Sequence, residues 1–164
     1  MTSTDGNLHV TAEPGRHDIV ITREFDAHRD LVFDTFTDPE AVPLWWGQTG
    51  SNTVVDVMDV RPGGRWRYVE KSDDGAEYAF NGVYHQVKPH ERLVYTFEFE
   101  GMPGHVLLET IDFVDLGDGR TRLVDTSVFQ AIEDRDGMLQ SGMESGARES
   151  MDQLAALLAE RLAS

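Results

Sequence analysis

One arrangement constrains the fold of this chain more than any other. A series of short strand signals, each closed by a turn, runs directly into a single amphipathic helix. Val54 to Val57 reads as a strand, and Arg61-Pro62-Gly63-Gly64 turns the chain into another that carries Trp66, Tyr68 and Val69. Asp73-Asp74-Gly75 has the composition of a hairpin turn and leads to Tyr78–Val87. Lys88-Pro89-His90-Glu91 leads to Leu93–Phe99, where Leu93, Tyr95, Phe97 and Phe99 alternate with Val94, Thr96 and Glu98. Met102-Pro103-Gly104 leads to His105–Val114, and Leu116-Gly117-Asp118-Gly119 leads to Thr121–Gln130. Consecutive strands on such short loops pair as an antiparallel meander. The final stretch, Met138 to Leu162, places Met143, Ala147, Met151, Leu154, Leu158 and Leu162 on one helical stripe. A helix of about 25 residues is roughly 37 Å long, enough to lie across a whole curved sheet.

The part before the meander is shorter and more mixed. Ile19, Ile21 and Phe25 mark a first strand over His17–Asp26. Leu31, Val32, Phe33 and Phe36 have helical spacing within Arg29–Phe36, and Asp38-Pro39-Glu40 has the chemistry of a second helix start. Pro43 and Gly47 keep that second helix short. Residues 1–16, rich in Thr, Ser, Asp, Gly and Pro, read as a flexible lead-in outside the fold, leaving one domain over 17–164. The expected class is therefore α+β. A curved antiparallel sheet wraps around one long C-terminal helix, with two short helices after the first strand and room for a cavity between sheet and helix.

Charge narrows the partners. Thirty acidic residues face fourteen basic ones, a formal net charge of −16, and a phosphate backbone or an anionic membrane surface repels such a chain. No apolar run approaches the roughly 18 residues needed to span a bilayer, and the N-terminus lacks the pattern of a secretory signal, so cytoplasmic is the default location. The chain has no cysteine, which excludes disulfides, thiolate metal sites and cysteine nucleophiles. Its histidines show no metal-ligand spacing, no Gly-rich loop precedes a helix to hold phosphate, and no nucleophile elbow occurs, so no metal or cofactor is expected.

The candidate site follows from strand parity. Trp66, Tyr68, Phe80, Tyr84, Phe97 and Phe99 fall on one face of three neighbouring strands and should meet the helix, either as plain core or as a cavity wall. Trp45 and Trp46 close the second short helix, as packing or as a wall that stacks on a flat ligand; an exposed pair would also suit a homodimer contact. Glu109 shares its parity with Leu107, Ile111 and Phe113, which places a carboxylate among inward-facing apolar residues. Such a group must be paired, protonated or near water, and the alternatives are a local twist, a satisfied partner, or a cavity carboxylate that binds or protonates a ligand. Asp125 shares parity with Leu123, Ser127 and Phe129, and reads better as a solvent-facing or edge residue than as a second cavity acid. From the helix, Met143, Ala147 and Met151 face the same space.

Four stretches, taken in order, carry a resemblance. They are Ile21-Thr22-Arg23-Glu24-Phe25-Asp26-Ala27 running on to Thr37-Asp38-Pro39-Glu40 and Trp45-Trp46-Gly47; Arg61-Pro62-Gly63-Gly64-Arg65-Trp66; Gly82-Val83-Tyr84 with Glu91-Arg92-Leu93-Val94; and Ser141-Gly142-Met143-Glu144-Ser145-Gly146 with its Leu-rich continuation. Over about residues 17–162 the chain resembles the SRPBCC (START/birch-pollen-allergen) superfamily with its helix-grip fold. Within that superfamily it is similar to the branch of activator of heat-shock-protein-90 ATPase homologues. It departs from that pattern at His28 and Gln48, where proline is usual, and at Ala147, where a bulky residue is usual; the last change should enlarge the cavity. The resemblance implies a small, mostly apolar ligand: lipid-like, polyketide-like or aromatic. It also implies two alternatives. One is a polyketide cyclase or aromatase using Glu109 as acid or base. The other is a chaperone-ATPase activator, against which stand the missing preceding domain of the eukaryotic relatives and the lack of a basic docking surface.

Overall fold

Alternation and turn chemistry place the elements largely where the sequence suggests. In a computed structural model, the backbone of residues 2–5 and 7–164 and the side chains from Asn7 onward are described. The strands are β1 (Thr2–Asp5), β2 (Leu8–Thr11), β3 (Asp18–Phe25), β4 (Asn52–Met58), β5 (Arg65–Lys71), β6 (Glu77–Lys88), β7 (Arg92–Phe99), β8 (Val106–Gly117) and β9 (Arg120–Phe129). The helices are α1 (Arg29–Phe36), α2 (Val42–Trp45), α3 (Ile132–Gln140) and α4 (Met143–Ala163). All strand pairs are antiparallel, and the nine strands follow the order β1-β2-β3-β9-β8-β7-β6-β5-β4. The meander β4 to β9 therefore returns to β3, while α1 and α2 carry the chain from β3 to the far edge at β4. The sheet curves around α4 as a helix-grip fold. Among the described residues no helix is long and apolar enough to cross a membrane.

Three expectations need correction. The lead-in is not outside the fold: β2 pairs with β3, and Leu8 and Val10 are each 1% exposed against Ile19 and Ile21. The alternation of Leu8 and Val10 with His9 and Thr11 is only four residues long, too short to stand out from the Thr- and Gly-rich text around it. The C-terminal helix is two helices. Gly142 adopts φ +86°, the left-handed region that favours glycine, and separates α3 from α4. Third, α2 starts at Val42 rather than at Asp38. Asp38 instead caps the turn before it, its Oδ1 accepting from the Glu40 amide at 2.9 Å and its carbonyl from the amides of Ala41 and Val42.

The space between sheet and helices is filled at one end. Leu154, Leu157 and Leu158 of α4 pack with Phe25, Phe33, Phe113, Leu123 and Trp45. Phe33 and Phe36 meet Phe113 edge-on at 5.2 and 5.7 Å. Arg161 of α4 holds α1 and the turn after it, donating to Thr35 Oγ1 at 3.1 Å and to Asp38 Oδ2 at 3.0 Å. Buried Arg135 ties α3 to the sheet by donating to the carbonyls of Glu13 and Asp18 at 2.7 and 3.3 Å.

Candidate functional site

The other end of the same space is hollow. A cavity of about 790 Å³ lies between the concave face of the sheet and the N-terminal half of α4. This volume is within the usual range for a small-molecule site, roughly 300–1,000 Å³. Trp66 and Tyr68 of β5, Phe80 and Tyr84 of β6, and Phe97 and Phe99 of β7 all line it, as their parity suggests. Trp46 from the end of α2, Glu109 of β8, and Met143, Ala147 and Met151 of α4 complete the set read from the sequence.

Local geometry explains how the wall is held. The Trp66 indole lies across Gly82 of the neighbouring strand and donates to the carbonyl of Thr96 on the strand beyond, at 3.1 Å. A Cβ at Gly82 would come within 1.8 Å of that carbonyl oxygen and 2.5 Å of the indole nitrogen, so no larger residue fits. A register shift between Tyr84 and Gln86 leaves Tyr84 opposite Tyr95. Trp66 sits 4.8 Å from Tyr68, 5.5 Å from Phe97 and 5.9 Å from Tyr95, centroid to centroid. Trp46 meets Tyr68 and Phe80 edge-on, both at 5.2 Å. Its backbone is pinned from two sides. Thr53 Oγ1 donates to the Trp46 carbonyl at 2.8 Å, while Gln153 of α4 donates to the carbonyls of Trp45 and Gly47 at 2.9 and 3.0 Å. Trp45 is 2% exposed and Trp46 partly buried; both pack into the core and both line the cavity.

The polar centre is built from three strands. Tyr95 of β7 is directly opposite Glu109 of β8 and donates its hydroxyl proton to Glu109 Oε2 at 3.0 Å. Asp125 of β9 lies diagonally across from Glu109, since Glu109 pairs with Ser127 and Ile111 pairs with Asp125. The two carboxyls face each other, and the Ser127 hydroxyl donates to Asp125 Oδ1 at 3.5 Å. Asp125 lines the cavity together with Glu109, which overturns its solvent-facing reading. Both side chains are partly buried. Burial pushes both above the ordinary carboxylate range, Asp125 well above it because the Glu109 charge adds to the burial. Two carboxyls this close titrate as a unit rather than singly. Burial also raises the hydroxyls of Tyr68 and Tyr95 well above their usual value and pushes Tyr84 up to about 12, so all three stay protonated.

The sequence reading missed Tyr95, although its parity with Phe97 and Phe99 was the available signal. The Asp125–Glu109 contact left no such signal, because it depends on register. At the rim, His105 Nδ1 lies 3.0 Å from Asp134 of α3, and exposed Met102 and Tyr78 border the opening. A second concavity, about 580 Å³ on the outer surface, includes Lys88 and Arg92, which are already paired with Glu91 and Asp112 at 3.3 and 2.7 Å.

A curved sheet gripping a helix around a hollow of this kind defines a helix-grip, START-like domain of the SRPBCC class. The chain belongs to the family described as Activator of Hsp90 ATPase homolog 1-like protein, whose model matches residues 26–159. Among solved structures it is similar to a protein from Arthrobacter aurescens, with 26% identity, TM-score 0.84, and 92% of this chain and 91% of that one covered. A protein from Chromobacterium violaceum is 28% identical, with TM-score 0.77 and coverage of 87% and 96%. One from Mycobacterium smegmatis, 24% identical with TM-score 0.82 and coverage of 96% and 97%, shares the fold. Among curated proteins there is no match.

Proposed function

We propose that this chain binds a small molecule with a mostly apolar body in the cavity between sheet and α4. The observation that carries this reading is the 790 Å³ hollow walled by Trp46, Trp66, Phe80 and Phe97, with two carboxyls, Glu109 and Asp125, on its sheet side. Apolar walls supply affinity through burial, and a few polar groups set orientation. Glu109, Asp125 and Tyr95 are those orienting groups. Native mass spectrometry of the purified protein, followed by a thermal-shift screen of apolar metabolites, tests it. A co-purified mass, or a shift of several degrees for one chemical class, is expected. No bound mass and no shift across the screen would sink the reading.

The two adjacent cavity carboxyls, both raised by burial, favour a second reading, acid–base catalysis of the cyclase or aromatase kind. Glu109 would take a proton from a carbon next to a ligand carbonyl, and the protonated member of the pair would return one to oxygen. Deuterium exchange at such carbons of a poly-β-ketone, followed by NMR, separates catalyst from passive binder. Exchange no faster than in buffer alone leaves a binder.

A further inference from the structure

The hydrogen-bond inventory of the cavity goes further than its shape. Around the acid pair the protein's own donors are already engaged. The Tyr95 hydroxyl is spent on Glu109, the Ser127 hydroxyl on Asp125, and the Trp66 indole on the Thr96 carbonyl. The acceptors are in excess. Two carboxyls offer about four lone-pair sites each when ionised, and Tyr95 and Ser127 fill only a few of them. Among the described residues that line the cavity there is no lysine or arginine, and the one base, His105, sits at the rim beside Asp134. Glu70 and Glu133 add further acidic lining, and the chain as a whole carries −16. An anionic headgroup entering this space would meet charge of its own sign, and the buried lining donor left without a partner, the Trp45 indole N–H, belongs to α2 rather than to the strands that carry the acid pair.

The same inventory defines what does fit. We propose that the ligand is an apolar molecule bearing one protonated nitrogen, with its ammonium group seated between Glu109 and Asp125. The ligand brings the N–H donors that the site lacks. The ammonium's charge favours the ionised form of both carboxyls, which their burial otherwise opposes. Ammonium–carboxylate hydrogen bonds are among the strong ones. The inference rests on the apolar-ligand reading above and assigns the headgroup that reading leaves open.

The test compares decylamine, decanol and decanoate, which share one tail and differ in headgroup charge, by isothermal titration calorimetry on the full chain. The amine is expected to bind at least about tenfold more tightly than the alcohol, with the carboxylate weakest. In the double variant Glu109→Gln/Asp125→Asn, checked for folding by its thermal melt, the amine's advantage over decanol should vanish. Alcohol or carboxylate binding as tightly as the amine in the wild type would overturn the headgroup assignment and leave the apolar cavity standing. An amine preference that survives in the double variant would overturn the placement at the acid pair. Should the single variant Asp125→Asn be the only one that folds, an undiminished amine preference in it overturns that placement equally. Binding of none of the three would overturn the cavity reading itself.

Discussion

The two halves of α4 lie against the same sheet and do opposite things. The C-terminal half presents Leu154, Leu157 and Leu158, which are 0%, 8% and 2% exposed, and fills the space to Phe25, Phe113 and Leu123. The N-terminal half presents Gly146, Ala147 and Ser150 between Met143 and Met151, and the space beneath it stays hollow. Sheet curvature sets how far apart helix and strands stand, and side-chain volume decides whether the gap closes. The carboxyls at the two ends differ in the same sense. Burial alone would raise Asp38 at the filled end, but Arg161 and the amides of Glu40 and Ala41 outweigh it and hold its carboxyl below the usual range. Glu109 and Asp125 at the hollow end are partnered by each other and by the hydroxyls of Tyr95 and Ser127, and burial holds both high. One end is organised for stability; the other keeps unmet electrostatic demand facing a cavity.

The contrast can be broken from either side. Leu154→Ala should cost about 2–5 kcal/mol in chemical denaturation, because it opens a void in close-packed core. Met151→Ala, one turn earlier and half-exposed to the cavity, should cost clearly less in the same experiment. Ala147→Phe tests the hollow end. It should weaken decanol binding about tenfold or more while changing stability by no more than about 1 kcal/mol, since it fills space rather than displacing core. A loss of stability as large as that of Leu154→Ala would mean that the N-terminal half has no room to spare.

The smallest effects sharpen the electrostatic half of the comparison, and they have opposite signs in pH. The acid pair has a folded-state affinity for protons above that of the unfolded chain. Its contribution is therefore most favourable in acid and is lost as pH rises from the ordinary carboxylate range through the raised one. Asp125→Asn should then stabilise the protein by roughly 1–2 kcal/mol at pH 8, a gain that fades toward pH 4. Asp38 is held low, so its contribution is present above the unfolded carboxylate range and is lost as pH falls through the lowered folded value. Asp38→Asn should cost about 1 kcal/mol at pH 7 and progressively less in strong acid. Urea titrations at stepped pH measure both; the same sign for the two variants would contradict the contrast.

Much of this was legible in the sequence, for reasons that stay local. Period-two runs and their turns placed β3 to β9, and the stripe from Met143 to Leu162 placed α4. The anomaly of Glu109 among Leu107, Ile111 and Phe113 marked the polar centre. Three elements escaped for equally local reasons. β1 and β2 are four residues each, too short to register, and α3 was hidden because the glycine that separates it from α4 sits inside an otherwise helical pattern. Asp125 was misread for a different reason. An aspartate on the inward parity of a strand normally reaches solvent through twist or an edge, and only the presence of Glu109 across the sheet makes its position informative.

The sequence by itself determined the order of elements, the faces they bury and the acidic character of the chain, because periodicity, turn chemistry and charge act over a few residues. Only the tertiary structure decided that Tyr95, Glu109 and Asp125 converge. That outcome depends on the registers of β7 with β8 and of β8 with β9, and each register is a property of two strands rather than one. The hollow itself was decided at the same level. Small residues on α4 leave a cavity only where the curved sheet stands too far away to close on them, while Leu154 and Leu158 close the space at the opposite end.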